Sequence, residues 1–184
     1  MRGGGRLSLI CCALVSACSG DTGPERDASE LQSCAPAPGT TGRPSTIAET
    51  VDLVNGLPKP ADLPCFVQAL ERPLHLVATR SFFSAQPAAG SRSPRIFLLM
   101  DGIIHSIVPE GSASNLLEMG EVTNPGFSIK AELEFPIRDS ITLATAFERL
   151  PLEGITTCGV CHDGHVPALG IEGAYESEAL RPAD

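Results

Sequence analysis

The sequence predicts an α+β protein, mainly antiparallel β, a sandwich or open barrel, with short N-terminal helices and a loop-rich C-terminal segment. Two patterns carry this reading. Between residues 74 and 137, runs rich in β-branched and aromatic residues alternate with clusters of Gly, Pro, Ser and Asn, the mark of strands and turns. Ahead of them, residues 45–71 carry apolar residues at helical rather than strand spacing. Residues 151–184 show no sustained period and form a separate loop-rich tail, with one turn expected at "YESEALRP".

Within 45–60, "STIAETVDLVNGLPKP", Thr46 followed by Glu49 fits a capping box. Ile47, Val51, Val54 and Leu57 form one apolar stripe, and Asn55-Gly56 followed by Pro58 ends it. A second short helix fits 62–71, with Pro64 in its first turn and Pro73 closing it. Strands are expected at 74–83, 95–100, 102–109 and 127–137, and Asp101-Gly102 is a hairpin turn. In the last run Phe127, Ile129, Ala131, Leu133 and Phe135 alternate with Ser128, Lys130, Glu132 and Glu134, giving one apolar and one wet face. Internal repeats, a P-loop, a dinucleotide-binding fingerprint and a serine nucleophile elbow are all missing from the sequence.

The chain opens "MRGGGRLSLICCALVSACSG": two arginines, an apolar run from Leu7 to Val15, then small residues up to Cys18. That order is a signal peptide, 1–17, too short to span a bilayer as a mature helix. "VSAC" at 15–18 resembles the lipobox of bacterial lipoproteins. The resemblance implies that Cys18 becomes the acylated first residue, and Ser19 beside it implies an outer-membrane lipoprotein facing the periplasm or the cell surface. An ordinary cleaved signal peptide would also export the chain. Membrane contact would be by the lipid alone. Residues 18–44, rich in Gly, Pro, Ser and Thr, read as a flexible tether to a body spanning 45–150.

Without the signal peptide about 167 residues remain, close to one domain. The formal charge of −9 becomes more negative when Arg2 and Arg6 leave. An acidic chain with no basic cluster, no Trp and one Tyr argues against nucleic-acid binding. Of seven cysteines, Cys11 and Cys12 leave with the signal peptide and Cys18 is assigned to lipid. In an oxidising compartment the simplest solution pairs Cys34 with Cys65 and uses Cys158 and Cys161 together, although four cysteines allow three pairings.

The stretch "TTCGVCHDGH", 156–165, holds Cys158, Cys161 and His162. This C-x-x-C-H run resembles the haem-attachment motif of c-type cytochromes. The resemblance covers five residues and implies thioether bonds from Cys158 and Cys161 to haem c, with His162 as axial iron ligand. It does not extend to the small cytochrome c domain, in which a distal Met follows the motif, because no Met follows His162 here. A sixth ligand would come from upstream, with Met100, Met119, His75 and His105 as candidates, or be absent. His165 leaves on the same side of the ring as His162, and three residues at about 3.5 Å each do not pass round a porphyrin.

Two other readings stay open. Cys158, Cys161 and His165 have zinc-knuckle spacing, with Asp163 or His162 as fourth ligand, and the two cysteines could form a local disulfide. The functional expectations are therefore an exported monohaem electron carrier meeting an unidentified redox partner, or a surface binding or structural module stapled by zinc or a disulfide. Peroxidase-like chemistry would need a distal acid–base group, and no constellation singles one out.

Overall fold

The computed structural model describes residues 33–80, 86–152 and 155–178. The signal peptide, Cys18 and the first part of the tether lie outside the described residues, as does the stretch 179–182 of the expected C-terminal turn. Among the described residues no helix is long and apolar enough to cross a membrane.

Two helices come first, α1 (Ile47–Gly56) and α2 (Leu63–Ala69). Thr46 caps α1 by accepting from the Glu49 amide at 3.1 Å. The Glu49 carboxylate turns back one residue further than a capping box requires, accepting from the Ser45 amide and hydroxyl at 2.7 and 2.8 Å. These bonds, the backbone one first, hold the Glu49 carboxyl below the usual carboxylate range. Asp62 caps α2 by accepting from the Cys65 amide at 2.7 Å. The stripe predicted for α1 is its buried face, with Ile47, Val51, Val54 and Leu57 all in the core.

The strands are β1 (His75–Thr79), β2 (Arg95–Leu99), β3 (Ile103–Ile107), β4 (Leu116–Asn124), β5 (Phe127–Glu134), β6 (Pro151–Leu152), β7 (Ile155–Thr156), β8 (Val166–Pro167) and β9 (Tyr175–Glu178). Seven of them form one open antiparallel sheet in the order β1-β2-β3-β4-β5-β9-β8, and β6 pairs with β7 in a short ribbon. The first five make a meander. Asp101-Gly102 turns β2 into β3, with the Met100 amide donating to Ile103 O at 3.0 Å. Gly102 sits at φ +84°, and a Cβ there would stand 2.8 Å from Ser45 O, so both backbone conformation and space require glycine.

Because side chains alternate along a strand, the register sorts the sheet into two faces. Leu98, Ile103, His105, Leu117, Met119, Ile129, Ala131 and Leu133 point to the side covered by the helices, where Ile47, Val51, Val54 and Phe66 complete the core. The outer face shows two rows across β1 to β5. One is Val77, Phe97, Ser106, Glu118 and Glu132; the other is His75, Leu99, Ile104, Gly120 and Lys130.

Two expectations need correction. Strand β4 was not foreseen, because Glu118, Gly120 and Glu121 break the apolar run and hide the Leu117–Met119 alternation. The segment after 151 is not a separate tail: β9 pairs along β5 (Ser128 opposite Ser177) and β8 pairs with β9. The far end of the tether is pinned to the body, as the expected Cys34–Cys65 pairing implies. Cys34 is disulfide-bonded to Cys65, the Ala37 amide donates to Gly56 O, and the Glu71 amide donates to Gly42 O, each at 2.8 Å.

One core residue makes the body acid-sensitive. His105 is fully buried, with Nε2 2.9 Å from Thr50 Oγ1 and its ring edge-on to Phe66 at 5.4 Å. Burial lowers its pKa from 6.5 to about 4. Between those values the unfolded chain takes up a proton that the folded one refuses, so stability is full above pH 6.5 and falls as pH drops towards 4. The linked loss approaches about 3 kcal/mol, at 1.36 kcal/mol per pKa unit. Denaturant melts at pH 7 and pH 4.5 should show it, and His105→Gln should flatten the difference. An equal slope in that variant would remove His105 as the cause.

Candidate functional site

The C-x-x-C-H motif forms a single 3₁₀ turn, Cys158–Val160, directly after the β6–β7 ribbon. Thr157 N donates to Leu150 O at 2.9 Å, and Gly159 N donates to Thr156 Oγ1 at 3.1 Å, which fixes the entry. The amides of Cys161 and His162 both close on Cys158 O, at 3.1 and 3.0 Å. Cys158 is half-buried and Cys161 is exposed; both are free thiols.

The turn lies against the outer face of the sheet, away from the helices. Cys158 feels the charges of Glu118, Lys130 and Glu132 from the two neighbouring strands. The face of β5 expected to be wet is covered over part of its length: Ser128 is buried, Lys130 and Glu132 are half-buried, and Glu134 stays exposed. Desolvation pushes the Cys158 thiol up to about 11; Glu118 and Glu132 add to that, while Lys130 and a hydrogen bond involving Thr157 oppose it. A nucleophilic redox cysteine needs the reverse shift, so this turn is a poor thiol–disulfide catalyst.

His162 is held by its backbone side. Its Nδ1 lies 2.8 Å from Glu178 O, and Glu178 N donates to Asp163 O at 2.7 Å, so β9 grips the motif twice. A carbonyl only accepts, which places the proton on Nδ1 and leaves the Nε2 lone pair available. Desolvation lowers the His162 pKa, the Glu178 bond opposes this, and Lys130, Arg95 and His165 add to the lowering. The imidazole is thus neutral at neutral pH, the form that binds metal.

His165 stands apart from this arrangement. Its ring lies 5.2 Å from that of Tyr175, and both its nitrogens are buried without a hydrogen-bond partner. A Cβ at Gly159 would run into this ring, so the glycine inside the motif makes room for His165.

Beneath the motif runs a polar network that the sequence did not reveal. Arg95 is paired with Glu118, donates to Ser106 Oγ at 3.0 Å, and stacks over Phe97 at 4.9 Å. Ser106 Oγ donates to Gln86 Oε1 at 2.6 Å, and Gln86 donates to Leu116 O at 2.7 Å. Lys130 bonds Ser128 Oγ. Burial raises the Glu118 carboxyl against the opposing pull of Arg95, and burial lowers Lys130. Only register brings these residues together, since each looks like an ordinary exposed strand position in the sequence.

The upstream ligand candidates fall elsewhere. His105 and Met119 are buried in the helix-side core, and Met100 packs against that core beside the hairpin. His75 is exposed on edge strand β1 and belongs to the outer face. Among the described residues no three His, Cys, Asp or Glu side chains gather as a metal-holding group, so the zinc set does not converge here. No family model, no curated protein and no solved structure matches this chain.

Proposed function

We propose that this protein is an exported, lipid-anchored, monohaem c-type cytochrome-like electron carrier, with haem c bound through Cys158 and Cys161 and its iron held by His162 Nε2. The observation that carries the reading is the hydrogen bond from His162 Nδ1 to Glu178 O, which orients the ring and fixes its tautomer as second-shell partners of ligating histidines do. The donor set fits the group: two unpaired thiols on one turn, followed at once by a neutral imidazole. Attachment would need only the addition of each thiol S–H across a haem vinyl group, sulfur to one carbon and hydrogen to the other, with no oxidant consumed. The resulting thioethers would be uncharged, which suits the Cys158 sulfur beside Glu118 and Glu132; a zinc site would instead place the Cys158 thiolate anion there.

When bound, the haem supplies a one-electron couple whose potential depends on burial and axial ligation. In this reading the open sheet is one wall of the haem site, an open-barrel use of the strands. The acidic chain favours a redox partner with a basic docking surface. Cys18 carries the lipid that keeps the protein at the outer membrane, on its periplasmic or surface side. Cys18→Ala should then move the protein to the soluble fraction with its fold intact. If the variant still sediments with salt-washed membranes, the anchor lies elsewhere.

A second reading has one observation in its favour. The buried, unpartnered nitrogens of His165 next to the motif would be satisfied as a zinc-knuckle ligand with Cys158 and Cys161, making the protein a stapled binding module rather than an electron carrier. Two variants separate the readings. His162→Ala should leave covalent haem in place but change its visible spectrum, and His165→Ala should leave that spectrum nearly unaltered. A large loss of bound metal in His165→Ala, with little in His162→Ala, would overturn the haem reading in favour of zinc.

A further inference from the structure

We infer that the haem held at Cys158, Cys161 and His162 keeps its sixth iron position open and takes up a small neutral diatomic ligand, carbon monoxide or nitric oxide, in the ferrous state. This rests on the haem reading above and follows from where the sheet puts the strong iron ligands. Apart from Met1 in the expected signal peptide, the sequence offers His75, His105, His165, Met100 and Met119 besides His162.

Each is disqualified by its place. His105 and Met119 face each other across β3 and β4 on the helix side of the sheet, both buried, with the sheet itself between them and the motif. His105 is further committed to Thr50 and Phe66. Met100 packs into the same helix-side core. His165 is wedged between Gly159 and Tyr175 on the motif's own side, and the three-residue span from His162 does not carry it round the ring.

His75 alone shares the outer face with the motif. In the register it lies in one row with Leu99, Ile104, Gly120 and Lys130, four strand spacings from Lys130. At about 4.8 Å per spacing that is roughly 19 Å, far beyond the reach of an imidazole towards an iron held at the Lys130 end. Lys130, the one lysine near the motif, is engaged with Ser128 Oγ on its own strand. Of the strong iron ligands in the sequence, His162 alone is left in place to hold the iron of a haem bound at this motif. A ferrous centre with one vacant position binds a neutral diatomic without displacing any protein group.

The test uses the full-length, haem-loaded protein. The alkaline pyridine haemochrome, in which pyridine replaces every axial ligand, first reports the thioethers alone; if it shows no covalent haem, the haem reading falls and this inference with it. With covalent haem present, the dithionite-reduced protein should show the broad visible band of high-spin iron. Its Soret band should shift and sharpen on adding carbon monoxide, and His75→Ala and Met100→Ala should each leave both spectra as they are. A sharp low-spin α-band in the reduced wild type, unresponsive to carbon monoxide, would overturn the open position while leaving the haem reading standing. Conversion of that low-spin form to a carbon monoxide-binding one by either substitution would overturn it as well and would name the ligand.

Discussion

Cys158→Ala combined with Cys161→Ala is expected to yield a chain with no haem after denaturation. The reason is chemical. Denaturation removes His162 and every packing contact, so only thioether bonds keep a haem on the unfolded polypeptide, and these two thiols are the ones the motif supplies. Each single variant keeps one possible thioether and should retain a reduced, spectrally shifted signal. The fold should survive, since Cys161 is exposed and Cys158, which packs against the edge of the core, is only half-buried and loses a single sulfur atom. Haem staining on denaturing gels, with circular dichroism for the fold, measures both halves. Staining of the double variant at wild-type strength would mean the motif does not hold haem.

Replacing Cys34 and Cys65 together with alanine should lower stability by about 3–4 kcal/mol in the chain-entropy account of a cross-link closing 31 residues. For a body of this size that corresponds to a fall in melting temperature of about 10 °C. Two features place the effect beyond the bridge itself. Cys65 is buried in α2, so its loss also removes packing. Cys34 holds the segment whose Ala37 and Gly42 bond to the C-terminal ends of the two helices. Equilibrium denaturation of the double variant against wild type gives the number, and an unchanged midpoint under oxidising conditions would show that the cross-link does not stabilise the fold.

Elements with local signals were legible in the sequence. Thr46, Asn55-Gly56 and Pro58 mark α1 because caps and stops act within a few residues. Strands β1, β2, β3 and β5 are apolar or alternating runs, and Asp101-Gly102 marks a turn through glycine's access to positive φ. The disulfide was legible as parity, and the motif as three residues at fixed spacing. Long-range effects were not. Strand β4 carries Glu118 and Gly120 on a face that looks solvent-exposed until the motif covers it. Tyr175–Glu178 is polar at nearly every position and reads as a turn, yet it is a strand because β5 offers it a free edge. The partners of the motif (Lys130, Glu132, Glu118 and the Glu178 carbonyl) come from three strands far apart in sequence. No local pattern assembles them.

The grip of Glu178 on the motif also sets an order of events in time. His162 and Asp163 are both tied to a residue that follows His162 by sixteen positions, and strand β9 must dock on β5 before either bond exists. A chain emerging N-terminus first has therefore already presented Cys158 and Cys161 as part of an unclamped segment before the stretch that locks it can act. If haem is attached there, as proposed above, that interval would be when both sulfurs are open to an attaching enzyme. Once β9 zips in, Cys158 is half-buried while Cys161 stays exposed, so the fold would close over one of the two sulfurs and not the other.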